Sequence, residues 1–146
     1  MTERAIRVVA RGLVRRTRGG TEELLVARER DPTAGESFYY LLGGGVEFGE
    51  HSEEALRREF REELGVELAD ISSLGTYENV FTFEGRAEHE IWRVYDVEIS
   101  DGWPYQREQF TASEPDGEAF ECVWKPVCEL EEDGEPFYPE AALADL

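Results

Sequence analysis

At 146 residues, with 40% hydrophobic and 12% aromatic side chains, the chain has the length and composition of one domain, residues 1–146, whose core needs no disulfide or structural metal. A net charge of −19 at pH 7 excludes the basic surfaces that nucleic acids and anionic membranes require. No apolar run approaches a membrane span and Met1 to Arg16 lacks a signal-peptide core, so a cytoplasmic location is expected.

Arginine supplies nearly all the positive charge, and Lys125 is the only lysine. Such a surface repels itself in dilute buffer and is screened at high ionic strength, the style of proteins from salt-loving microbes. Cys122 and Cys128 do not have the spacing of a zinc site, and His51 lies far from His89 in sequence, so free, at least partly buried thiols are expected.

Ile6 to Val14 reads as a strand, Arg15 to Glu22 as a turn around Gly19-Gly20, and Leu24 to Val26 as the return strand of a hairpin. Asp31 to Glu36 reads as a loop, and Phe38 to Leu42 as a short strand running into Gly43-Gly44-Gly45. Ser52 to Leu64 is the clearest helix, with Ser52 as its N-cap, Glu53 and Glu54 at the positive end of the dipole, and Gly65 closing it. Ile71 to Phe83 and Glu90 to Ile99 read as strands; in the second, Ile91, Arg93, Tyr95 and Val97 alternate with Trp92, Val94 and Asp96. Asp101 to Gly117 reads as a long polar loop, Phe120 to Val127 as a last strand, and Pro139 to Leu146 as a terminal helix. Strands on both sides of a strong central helix indicate an α/β (mixed α+β) fold, a mixed sheet sandwiched between helices.

The chemistry concentrates between Gly44 and Val66. At ~100° per residue, Glu59, Glu62 and Glu63 share one helix face with Ala55, beside an apolar stripe of Leu56, Phe60 and Leu64. The acidic face therefore borders the core-facing side, where a cleft is expected. Two carboxylates about 6 Å apart repel by roughly 3 kcal/mol at an effective dielectric near 20, a penalty that a divalent cation removes. Hard oxygen donors suit Mg²⁺ or Mn²⁺. The helix alone does not decide between a cation site and a solvated acidic face. Gly43-Gly44-Gly45 tips the balance, because backbone there can approach a ligand closely. Arg58 can pair with Glu62 one turn on or reach back to Glu50.

Together these residues resemble the Nudix box, G-x5-E-x7-R-E-U-x-E-E-x-G-U with U bulky and aliphatic. Gly44 is followed by Glu50, then by Arg58-Glu59-Phe60-Arg61-Glu62-Glu63-Leu64-Gly65-Val66, and every fixed position is met. Phe60 departs mildly from the aliphatic rule, and Leu42 stands where many members carry proline. The resemblance implies a Nudix-type α/β/α sandwich and hydrolysis of a phosphate anhydride in a nucleoside diphosphate linked to another group, or in a nucleoside triphosphate. It implies that Glu59, Glu62, Glu63 and the Gly43 carbonyl hold catalytic Mg²⁺ or Mn²⁺, and that Glu50 and Arg58 orient the loop against the helix. Many members add a glutamate upstream of a late tryptophan. Trp124 is the anchor here, and Glu118, on the loop after Gly117, is preferred over Glu121.

The region of Val80 to Phe83 lacks the proline of ADP-ribose pyrophosphatases and the tyrosine of diadenosine polyphosphate hydrolases. The coenzyme A and NADH signatures are also absent. Phe81, Phe83 and Arg93 are the expected substrate contacts, with Trp92, Tyr95, Trp103, Tyr105 and Phe110 more often core. The expected partner is a small-molecule nucleotide; nothing in the sequence fixes the oligomeric state, and a homodimer stays open. The competing reading is a non-catalytic nucleotide sensor, which the intact set of box glutamates disfavours.

Overall fold

Charge pairing across the first hairpin draws its strands out almost to the glycines. The computed structural model, which describes residues 4–132 and 134–146, places β1 at Ile6–Arg18 and β2 at Thr21–Asp31, joined only by Gly19-Gly20. The expected eight-residue turn is therefore replaced by paired strand. Arg15 bonds Glu22 at 3.3 Å and Arg16 bonds Glu23 at 2.6 Å, so residues that look loop-like by polarity are an ion-paired ribbon.

β3, Glu36–Gly45, carries the glycine run within its last residues, and α1 follows at Ser52–Leu64. The helix has the expected bounds, and Gly65 ends it in the left-handed region at φ 71° with its N–H on the Arg61 carbonyl. The N-cap differs. His51 occupies that position without a side-chain cap bond, because the Ser52 hydroxyl is held 2.5 Å from the Tyr95 hydroxyl instead.

β4, Leu68–Phe83, and β5, Arg86–Ile99, form a long antiparallel hairpin. A 3₁₀ turn at Trp103–Gln106 and a strand β6 at Gln109–Ser113 lie within the span expected to be loop. Phe110 and Ala112 are buried while Gln109, Thr111 and Ser113 face water, so this short strand at the edge of the sheet reads as polar. β7 is Ala119–Pro126, a short α2 follows at Val127–Glu132, and β8 is Phe137–Tyr138. The terminal helix is a 3₁₀ segment, Glu140–Asp145, rather than an α-helix.

The sheet runs β4-β5-β1-β3-β2-β7-β6, with β8 on β3 and β1 also paired to β2. β1–β5 and β3–β8 are parallel and the other pairs antiparallel, so the sheet is mixed. Each face carries an apolar cluster. Leu56 and Phe60 of α1 pack with Val14, Leu42, Tyr95, Val97 and Trp124 on one side. Val9, Leu13, Leu41, Trp92 and Val94 lie with Leu130 of α2 and Phe137 on the other. This is an α/β/α sandwich with one substantial and one thin helical layer.

The aromatic Phe60 is accommodated by Gly12 beneath it, where an added Cβ would come within 2.9 Å of the ring. Cys122 is buried and Cys128 exposed, and both are free. No helix among the described residues is long and apolar enough to cross a membrane.

Candidate active site

The amphipathic stripe of α1 sets the depth of each carboxylate. Docking Leu56 and Phe60 on the sheet carries Glu59 and Glu63, at i+3 from each, under the same edge, leaving them only 8% and 7% exposed. Glu62 falls on the outer flank, with its side chain 38% exposed.

Backbone comes up to meet these carboxylates. Gly44 lies so close to Glu59 that a Cβ there would sit 2.4 Å from the carboxyl carbon. Gly43 adopts φ 146°, and a Cβ would meet the Ala10 carbonyl oxygen at 1.9 Å. Only glycine lets β3 run between β1 and the acidic helix face at this point.

Arg58 ties the intervening loop to the helix. Its Nε and Nη2 donate to the two Glu50 oxygens at 2.8 and 3.0 Å. Nη2 also donates to the Gly45 carbonyl at 3.0 Å, and Nη1 donates to Glu59 at 3.0 Å and Glu62 at 3.2 Å. Glu50 further accepts the Glu47 amide at 3.1 Å. The Arg58 hydrogen bonds hold the Glu50 carboxyl down to about 2, and the same contacts raise the guanidinium. Glu50 and Arg58 are thus brought together as a brace.

Burial pushes Glu59 up, against the pull of Arg58. Glu63 is pushed well above the usual carboxylate range, first by burial and then by the charge of Glu114, with which it shares a hydrogen bond. Glu63 Oε1 is buried with no hydrogen-bond partner.

Glu114 is the carboxylate that the sequence reading missed. It follows β6 directly and lines the cleft with Glu59 and Gly43–Gly45. Glu118 is exposed, borders a neighbouring depression with Asp116 and Ala119, and meets Glu114 only through backbone, its carbonyl accepting the Glu114 amide at 2.8 Å. Glu121 lies on β7 between Phe120 and Cys122, which both pack toward α1, so its side chain takes the opposite face. Alternation could have placed Glu114 at the cleft: Phe110 and Ala112 point inward, and position 114 continues their phase.

The cleft has a volume of about 430 Å³. Its far end is aromatic: Phe38 lies 5.8 Å from Phe83 and 6.0 Å from Tyr138, and Phe81 lies 5.9 Å from Tyr138. Phe81 and Phe83, the expected substrate contacts, line the cleft; Trp92, read as a core residue, lines it too, as does Asn79, whose Nδ2 is buried and unpartnered. Arg93 does not line it; its guanidinium lies over Tyr95 at 5.9 Å. Tyr95, Trp103, Tyr105 and Phe110 are packed against the α1 side of the sheet.

The donor set fits a hard divalent cation. Glu59, Glu63 and Glu114 offer oxygen donors with unfavourable mutual charge, and Glu63 Oε1 has no hydrogen-bond partner. Among the described residues no three or more acidic, histidine or cysteine side chains are gathered closely enough, as they stand, to hold a metal ion. An open carboxylate site that leaves positions for water and phosphate is what Mg²⁺ prefers.

Comparison with known proteins agrees with this geometry. The crystal structure of a MutT NUDIX hydrolase from Burkholderia pseudomallei matches with TM-score 0.67 and 25% identity, covering 97% of this chain and 98% of that one. The E. coli ORF135 protein shares the fold at TM-score 0.63 and 20% identity, over 97% and 89% of the two chains. Nucleoside triphosphatase NudI of Salmonella arizonae is 48% identical over 59 residues, 38% of this chain; the match spans only 42% of that relative's length. A family model described as the NUDIX domain matches residues 6–144. By that match over nearly the whole chain, this chain belongs to the NUDIX domain family.

Proposed function

We propose that this chain is a pyrophosphohydrolase that cleaves a phosphate anhydride bond in a small-molecule nucleotide, with Mg²⁺ or Mn²⁺ as its cofactor. The observation that carries the reading is the meeting of Glu59, Glu114 and Gly43–Gly45 on one cleft wall, with the unpartnered Glu63 Oε1 beside them. Nucleoside triphosphates are the first substrate class, because the NudI relative is named a nucleoside triphosphatase. Nucleoside diphosphates linked to another group, such as ADP-ribose-like compounds, come second. The proposed setting is the cytoplasm, where Cys122 and Cys128 stay reduced.

Glu59, Glu62, Glu63, the Gly43 carbonyl and, in place of Glu118, Glu114 would hold the cation. When bound, it neutralises phosphate charge and lowers the pKa of the attacking water. Arg58 holds Glu50, Glu59, Glu62 and the Gly45 carbonyl in one frame, which fixes the loop relative to the carboxylates. The faces of Phe38, Phe81, Phe83 and Tyr138 offer stacking surface to a base.

The test is phosphate or pyrophosphate release from a panel of nucleoside triphosphates and nucleoside diphosphate derivatives, with Mg²⁺, with Mn²⁺ and with chelator. Hydrolysis of at least one nucleotide, abolished by chelator, is expected. Silence across the panel with both metals would overturn the reading.

A further inference from the structure

Arg11 belongs to none of the Nudix box positions, yet it lines the cleft from β1, directly across from Gly43 in the β1–β3 register. Its guanidinium lies over the Trp92 ring at 4.5 Å and beside the Tyr40 ring at 5.4 Å. Nη1 donates to the Leu41 carbonyl at 3.3 Å, while Nε is buried with no hydrogen-bond partner.

The surroundings make this arrangement informative. Glu29, Glu59 and Glu114 line the same cleft, and Glu63 is near enough for Arg11 to favour its ionised form. Among the described residues, however, Arg11 forms an ion pair with none of them. Arg7 and Arg58 behave differently: Arg7 bonds Glu90 at 3.1 Å, and Arg58 bonds Glu50 at 2.8 Å. Arg11 stacks on two aromatic rings instead, and its Nε–H is unused in the cleft that Glu59 and Glu114 line.

We propose that Arg11 is a catalytic residue whose guanidinium binds the phosphate oxygens of the substrate beside the carboxylate site. This role rests on the hydrolase reading above. The planar fork matches a phosphate in two-pronged fashion, and its charge opposes the negative charge that builds on the phosphoryl oxygens. In the step, a water oxygen bonds to phosphorus and the bridging oxygen–phosphorus bond breaks. The electron pair leaves with the departing phosphate, and the proton of water passes to solvent. Arg11 exchanges neither proton nor electrons and acts from a fixed position.

The experiment compares wild type with Arg11→Lys and Arg11→Ala, reading kcat, KM, the Mg²⁺ concentration for half-activity, and rescue by added guanidinium ion. A second measurement is calorimetric binding of inorganic pyrophosphate in EDTA. Arg11→Lys keeps the charge but not the fork, and is expected to lose about 100-fold in kcat with its Mg²⁺ requirement unchanged. Guanidinium is expected to restore about tenfold or more in Arg11→Ala, and metal-free pyrophosphate binding is expected in wild type and not in Arg11→Ala. Wild-type kcat in Arg11→Lys would overturn the proposal, as would a loss explained wholly by a higher Mg²⁺ requirement. If wild type hydrolyses no nucleotide, the pyrophosphate measurement decides: binding that Arg11→Ala abolishes supports the site, and equal or absent binding overturns it. If Arg11→Ala does not fold, Arg11→Lys stands in its place in both measurements.

Discussion

Replacing Glu63 by glutamine separates catalysis from folding. The wild-type carboxyl is buried, sits beside Glu114 and Glu59, and has one oxygen without a partner. Its raised folded-state pKa means that the metal-free native protein retains a proton which the unfolded chain has already released. Metal-free stability therefore falls as pH rises from about 4.5, the ordinary value, up through the raised one. Glutamine removes that dependence and can donate its amide to Glu114. Because glutamine is buried without taking up a proton, it removes the linkage cost that the carboxyl carries above its ordinary value, and relief of about 1–2 kcal/mol is expected at pH 8 in EDTA. For a chain of this size that corresponds to about 2–8 °C in Tm. Activity should fall about 100-fold or more, because an amide is a poorer ligand than a carboxylate for a hard cation. Thermal melts in EDTA across pH and steady-state kinetics with Mg²⁺ read both quantities. Full activity in Glu63→Gln would refute the cation-site argument. So would a lower metal-free Tm at pH 8, which would make the carboxylate structural.

Arg58→Ala should impair both properties, costing about 2–3 kcal/mol in a denaturant melt, since Glu50, Glu59 and Glu62 lose a common partner, and also reducing kcat. Glu50 has a folded pKa of about 2, so its stabilisation is complete above the ordinary 4.5 and is lost as pH falls through 2. The stability gap between wild type and Glu50→Gln, about 1–2 kcal/mol at neutral pH, should close over that window; a gap that is flat with pH counts against it. Gly12→Ala should cost about 1–3 kcal/mol by crowding Phe60, and Phe60→Leu in the same chain should recover part of it, as a double-mutant cycle would measure. With a net charge of −19, Tm should climb from dilute buffer to molar KCl, and a flat or falling Tm would remove the case for a salt-adapted surface.

What was legible in the chain follows what is local. The helix at Ser52–Leu64 and its Gly65 terminus depend on residues a few positions apart, so periodicity and punctuation suffice to draw them. The same holds for the acidic face of α1, because three- and four-residue spacing alone places Glu59 and Glu63 together. The failures are non-local. The hairpin of β1 and β2 extends because arginines on one strand meet glutamates on the other, and polarity read along one strand mistakes them for a turn. Glu114 joins the site because β6 pairs with β7 and swings its end toward α1, a partnership that no window around residue 114 contains. Glu118 looked suitable because a glycine precedes it, yet freedom of the backbone at Gly117 does not direct a side chain anywhere. Arg93 and Arg11 show the same limit from opposite sides. Both are strand arginines near aromatic residues, and only the tertiary arrangement sends Arg11 into the cleft and Arg93 over Tyr95. A box defines the helix that supplies charge; the residues that face it come from strands whose register decides which carboxylate or guanidinium arrives.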